Sequence, residues 1–245
     1  PSTPPSACSA TAGWWAAWSP TARGCTVARS APGSPAPFRV VVLVSGSGTN
    51  LQSLIDSVHA GPEPIEVVRV VSSKPGVVAL DRARRAGIAT SVVALEGDDR
   101  DDRDRRLVRE VDAAEPDLVV LAGWMSILTG VFLDHYRDRV INLHPSLLPS
   151  FPGLRAIEQA LEWGVRVTGV TVHFAEVVVD AGPPVLQRAV PVHDDDTVAT
   201  LTERIRAVEH ELVPEAVRLF AEGLVRRDPR ERRRVVVAAE DREVR

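Results

Sequence analysis

An apolar run, Phe38–Val44, is followed at once by Ser45-Gly46-Ser47-Gly48-Thr49-Asn50 and then by Leu51, Leu54, Ile55 and Val58 at helical spacing. That order constrains the fold more than any other feature of the chain. A strand apolar on both faces must be covered on both faces, as happens in parallel sheets flanked by helices. The alternation then repeats. Ile65–Val71 reads as a second strand and 76–86 as a helix ended by Gly87. Strand 88–95, an acid- and arginine-rich helix at 99–114, strand 117–121, a helix at 126–137 and strand 139–143 follow. Such repetition predicts an α/β fold, a doubly wound and mainly parallel Rossmann-like sheet with right-handed crossovers. Beyond the proline-rich loop 145–153, a helix at 155–163 precedes Val165–Phe174 and Pro184–Val190, expected as a partly antiparallel C-terminal portion. A helix at 197–222 closes the fold.

The two ends are different material. Residues 1–37 hold seven prolines, two arginines and no acidic residue, without any apolar period, and are expected to be a disordered extension. It reads either as an organelle leader or as upstream sequence of no function. Residues 226–245 carry eight arginines around a Val-Val-Val patch and form an arginine-rich tail with no predicted place. The catalytic domain is expected to span 38–225. Both cysteines, Cys8 and Cys25, precede it, so the body has neither a disulfide framework nor a cysteine metal site. A net charge of −4 gives no electrostatic reason for a nucleic-acid partner. No apolar run approaches the ~20 residues of a membrane span. These bounds describe a soluble domain of enzyme size.

Two motifs could carry chemistry, and they contain the only two asparagines of the chain, Asn50 and Asn142. The loop 45–50 lies between a strand and a helix. Its glycines let backbone approach an anion, its following amides face outward, and Thr49 or Asn50 can cap the helix. The plainer alternative is a tight turn with a cap. The second motif is Arg-Val-Ile-Asn-Leu-His-Pro-Ser-Leu-Leu-Pro at 139–149. In an extended chain Asn142 and His144 point the same way, and Pro145 bars a helix from continuing. An amide donor beside an imidazole suits acyl-type chemistry on a carbonyl, although a capping amide and a hydrogen-bonded loop histidine would look the same. Asp180, between an apolar run and an Ala-Gly-Pro turn, is either a positioned acid or an Asx turn. Beside His144 its charge would raise the imidazole pKa and favour the protonated form.

Asn-x-His-x-Ser-Leu-Leu-Pro with a downstream Asp-x-Gly resembles the folate-dependent formyltransferase and formyl-hydrolase superfamily. The loop at 45–50, Leu-Ala-Gly-Trp-Met at 121–125 and Glu-His at 209–210 make the chain similar to the branch that formylates glycinamide ribonucleotide in purine synthesis. The resemblance runs from about Arg39 to Gly223. It implies that Gly48, Thr49 and Asn50 hold the ribonucleotide phosphate and that Glu209 holds the ribose hydroxyls. Arg100, Met125, Ser126, Ile127, Leu128 and Asn142 would bind 10-formyltetrahydrofolate as co-substrate. Asn142 and a protonated His144 would stabilise the oxyanion, with Asp180 keeping His144 charged and assisting proton transfer. The resemblance further implies no metal, a cytoplasmic location, and a monomer or homodimer. Two departures stand out: Ser126 where a basic residue is common, and a less acidic stretch at 175–180. The related formyltransferase that acts on tRNA adds a C-terminal barrel, and the formyl hydrolase adds an N-terminal regulatory domain. A non-catalytic nucleotide-binding module would need none of Asn142, His144 and Asp180.

Overall fold

The computed structural model describes residues 36–94, 99–231 and 233–238. Apart from Ala36 and Pro37, the expected disordered extension lies outside the described residues, as does the end of the tail from 239. Seven strands form one sheet: β1 (Phe38–Val44), β2 (Ile65–Ser72), β3 (Ala89–Val92), β4 (Leu118–Leu121), β5 (Val140–His144), β6 (Val167–Phe174) and β7 (Pro184–Pro191). Their order is β3-β2-β1-β4-β5-β6-β7. The first five run parallel, and β6 and β7 are antiparallel, as the sequence predicts.

β1 shows why its residues had to be apolar throughout. Val40, Val42 and Val44 pack with Leu51, Leu54, Leu80, Ile205 and Val213 on one side of the sheet. Val41 and Leu43 pack with Leu107, Val111, Phe132 and Tyr136 on the other. All five are 0% exposed, so both pleat faces lie in a core. The first side is covered by α1 (Thr49–Leu54), α2 (Val78–Arg85) and α6 (Val198–Ala221), the second by α3 (Arg100–Asp112) and α4 (Gly130–His135). A further helix, α5 (Ala156–Glu162), follows the proline-rich loop. Among the described residues no helix is long and apolar enough to cross a membrane.

Three elements differ from expectation. The first helix changes to π geometry over Ile55–His59. The helix expected at 126–137 begins only at Gly130, because Thr129 caps it through Oγ1 on the Val131 amide and the Thr129 amide itself donates to Asp104. Residues 125–128 are thereby left as a loop. The tail, unplaced by sequence, contributes β8 (Val225–Arg227) and β9 (Val235–Val237), which pair antiparallel. Their Val225, Val235 and Val237 pack onto the larger core, which accounts for the valine patch within the arginines.

Candidate active site

Strand order reverses direction between β1 and β4, and in α/β sheets the crevice beyond such a switch point receives ligands. The loops leaving these two strands meet there. The Met125 amide donates to Ser45 Oγ at 2.9 Å, and Ser45 Oγ lies 2.7 Å from Ser73 Oγ. Beside this junction opens a cavity of about 440 Å3 lined by Met125, Ser126, Ile127, Leu128, Asn142, His144 and Asp180, among others. Seven of the residues expected from the sequence thus share one cavity. Gly48, Thr49, Asn50 and Glu209 form a separate group in which Asn50 Nδ2 donates to Glu209 Oε2 at 3.1 Å. Arg100 opens α3 as an exposed residue and is not among those lining the cavity.

The floor of the cavity is a buried cluster. Asn142 and His144 are alternate residues of β5, and their partners across the ladder to β6 are His173 and Thr171. Asn142 Nδ2 donates to His173 Nε2 at 3.2 Å and to Asp180 Oδ1 at 3.4 Å. His173 Nδ1 donates to the Phe174 carbonyl at 2.9 Å, which leaves Nε2 as the acceptor that Asn142 needs. The Gly153 amide donates to Asp180 Oδ2 at 2.7 Å. His144 Nε2 lies 2.8 Å from the Phe151 carbonyl oxygen and Nδ1 lies 3.3 Å from Asp180 Oδ2.

Each ring nitrogen of His144 therefore faces an acceptor, which only the imidazolium satisfies twice. Burial opposes it. Desolvation is the largest influence on His144 and lowers its pKa below the ordinary 6.5, against the pull of the Phe151 carbonyl and the Asp180 charge. His173 adds to the lowering. Asp180 pulls the imidazole pKa up, as expected from sequence, and burial pulls it down more strongly. Burial also pushes the Asp180 carboxyl up, yet the neighbouring His173, the hydrogen bond from the Gly153 amide and the pull of His144 hold it below the usual carboxylate value.

The loop from 145 to 155 is fixed from behind. Thr171 Oγ1 donates to the Ser146 carbonyl at 2.6 Å and accepts from the Leu148 amide at 3.1 Å. Gln187 Nε2 donates to the Leu148 carbonyl at 2.9 Å. Phe151, Arg155 and Asp180 hold left-handed φ values of 53°, 61° and 53°. Such conformations cost about 1–3 kcal/mol each in residues with a side chain, and here two of the three line the cavity while Phe151 offers its carbonyl to His144.

Several contributors escaped the sequence reading. His173 is a lone histidine in an apolar strand, and nothing local says that its register places it opposite Asn142. Arg103 and Asp104 sit in a helix whose composition reads as solvated, yet both are buried. Arg103 donates to the Ile127 carbonyl and Asp104 accepts from the Thr129 amide at 2.6 Å, so the pair shapes the cavity loop. At Gly48 the reason for glycine is packing. Its φ is +69°, and a Cβ there would lie 2.6 Å from Ala79 Cβ.

A doubly wound sheet with a buried Asn–His–Asp cluster on the strand beyond its switch point has the layout of an α/β enzyme. Residues 38–217 match the family model described as formyl transferase, and the chain belongs to that family. It is 44% identical over 187 residues to the phosphoribosylglycinamide formyltransferase of Escherichia coli K12, covering 76% of this chain and 88% of that protein. It is 48% identical over 188 residues to the human trifunctional purine biosynthetic protein adenosine-3, covering 76% of this chain but only 19% of that longer protein. Among solved structures, glycinamide ribonucleotide transformylase 1 from Symbiobacterium toebii superposes with a TM-score of 0.80 at 45% identity, covering 84% of this chain and 96% of that one. A formyltetrahydrofolate deformylase from Pseudomonas syringae superposes at 0.76 with 28% identity, covering 82% and 66%.

Proposed function

We propose that this chain transfers the formyl group of 10-formyltetrahydrofolate to the primary amine of glycinamide ribonucleotide, a step of purine synthesis. The carrying observation is the Asn142–His144–Asp180 cluster at the floor of a largely apolar cavity. The names of the relatives support the same reading. The aromatic rings of the folate enter between Met125–Leu128 and the 175–180 loop. The ribonucleotide phosphate lies against Gly48, Thr49 and Asn50 and its ribose against Glu209, whose carboxyl pKa burial raises against the hydrogen bond from Asn50.

The amine lone pair attacks the formyl carbon, and the carbonyl π pair moves onto oxygen. Asn142 keeps its hydrogen bond to His173 and releases the longer one, to Asp180 at 3.4 Å, to turn that N–H toward the oxyanion. One such donor is typically worth about 2.7–4 kcal/mol in the transition state. His144, neutral at rest, takes the proton released by the attacking nitrogen and as imidazolium stabilises the oxyanion, with Asp180 as its counter-ion. The bond from the formyl carbon to N10 then breaks, N10 receives the proton, and tetrahydrofolate leaves. The reading makes this a cytoplasmic enzyme of small molecules, a monomer or a homodimer.

Purified protein should release tetrahydrofolate from 10-formyltetrahydrofolate only when glycinamide ribonucleotide is present. His144→Ala should lower kcat by at least about a hundredfold, the usual scale of general acid–base catalysis. Release at the same rate without the ribonucleotide would make the protein a deformylase, and a His144→Ala variant keeping a tenth of wild-type turnover would remove His144 from the chemistry.

A further inference from the structure

The cavity is graded along its depth. His144, His173 and Asp180 lie buried at its floor, while Met125 and Leu154 at its mouth are 68% and 79% exposed. Chemistry at the floor and aromatic rings between the walls leave one part of a folate for the mouth: its glutamate tail, which carries two carboxylates. The rim nearby is poor in matching charge. Ser126, Ile127, Val177 and Val179 line it without any cation. Among the described residues lining the cavity, Arg155 is the one arginine or lysine.

Arg155 is placed for such a ligand. It precedes α5 and holds a left-handed φ of 61°. Its side chain is 68% exposed, and its ion pairs to Glu158 and Glu162 are long, at 3.7 and 3.4 Å. Exposed pairs of this kind bind weakly and leave the guanidinium able to re-aim. Glu176, a carboxylate on the same rim, is already held by Arg227 and does not neutralise Arg155. A planar guanidinium grips a carboxylate through two parallel N–H donors, a geometry no other lining residue offers.

We propose that Arg155 is a specificity-determining residue that receives the tail carboxylates of the folate co-substrate. This rests on the formyl-transfer reading for the identity of the ligand. It accounts for a rim that lacks a cation at Ser126.

The test compares 10-formyltetrahydrofolate with the methylamide of 10-formyltetrahydropteroate, the pteroate compound below, which keeps the rings, formyl group and benzoyl amide but carries no carboxylate. Wild-type, Arg155→Asn and Arg155→Lys enzymes are assayed for turnover, and binding of each compound is measured by calorimetry. Asparagine tolerates left-handed backbone, so the fold is kept while the charge is lost. Arg155→Asn should raise KM for the folate about tenfold, leave KM for the pteroate and for glycinamide ribonucleotide unchanged, and spare kcat. Arg155→Lys should recover part of the loss. Equal increases for folate and pteroate would make Arg155 a wall of the cavity, and no increase would give it no role; either result overturns the inference. Wild-type turnover without any preference for folate over pteroate overturns it while leaving formyl transfer standing. Arg155-dependent preference in binding, with no turnover of either compound, overturns formyl transfer and leaves the carboxylate site standing.

Discussion

Asp180 meets more partners than a turn residue needs: the Gly153 amide and His144 at one oxygen, Asn142 and His173 at the other. Removing its charge while keeping its shape tests what the charge does. In Asp180→Asn the His144 pKa, followed by NMR, should fall further below its already lowered value, because one of the two influences holding it up is gone. An unchanged value would make Asp180 a structural turn and end its part in proton transfer. Both residues also tie stability to pH in the same direction. His144 has a depressed folded pKa, so as pH falls below the unfolded 6.5 the unfolded chain binds a proton that the folded chain refuses, and stability drops. Asp180, likewise depressed, contributes stability above 3.8 that is lost as pH falls through its folded value. Denaturant midpoints measured from pH 7 to pH 5 should decline in wild type and decline less in a His144→Phe variant; parallel curves would refute the His144 contribution. Asn142, His144 and Asp180 were legible because each sits in a motif with its own local punctuation. His173 was not, since its meaning lies in a cross-strand register that no local pattern states.

The 175–181 segment, which carries Asp180 and walls the cavity, is clamped from the C-terminal end of the chain. Arg227 in β8 donates to Asp138 at 2.7 Å and to Glu176, and its guanidinium lies 5.3 Å from the Phe174 ring centre. Arg233 reaches the Ala181 carbonyl at 3.4 Å. Arg227→Ala should cost about 1.5–3 kcal/mol, the scale of hydrogen bonds to charged groups, and lower the thermal midpoint by several degrees. KM for the folate should rise while KM for glycinamide ribonucleotide stays, because in the proposed arrangement only the folate touches that wall. A rise in both, or in neither, would show the clamp to be remote from binding. From sequence these arginines were an unplaced tail, because a short hairpin draws its stability from the surface beneath it and not from its own pattern. The same limit explains α4. Its start depends on Asp104, a side chain supplied by another helix, whereas β1 could be read outright because two buried faces leave only one composition possible.

Across the whole molecule the parallel order and the antiparallel close were readable from the spacing of apolar runs, but the meeting of two loops at the switch point was not. That meeting is made by one small side chain. Ser45, the residue after β1, accepts from the Met125 amide and shares a hydrogen bond with Ser73, the residue after β2. The loop after β1 and the loop after β4, which the proposed function gives to the ribonucleotide and the folate, are therefore ordered by the same hydroxyl. A ligand that fixes either loop lowers the entropy still to be lost by the other. The expected result is positive cooperativity. Calorimetric titration of glycinamide ribonucleotide with and without saturating tetrahydrofolate should show about fivefold tighter binding in its presence, and by reciprocity the same factor for the folate. Ser45→Ala strands the Met125 amide and should bring that factor toward one while each ligand alone still binds. A variant with undiminished coupling would mean that the two loops communicate by another route. If Ser45 does couple them, the two substrates assemble as an interdependent pair, and the enzyme holds either one alone less firmly than it holds both.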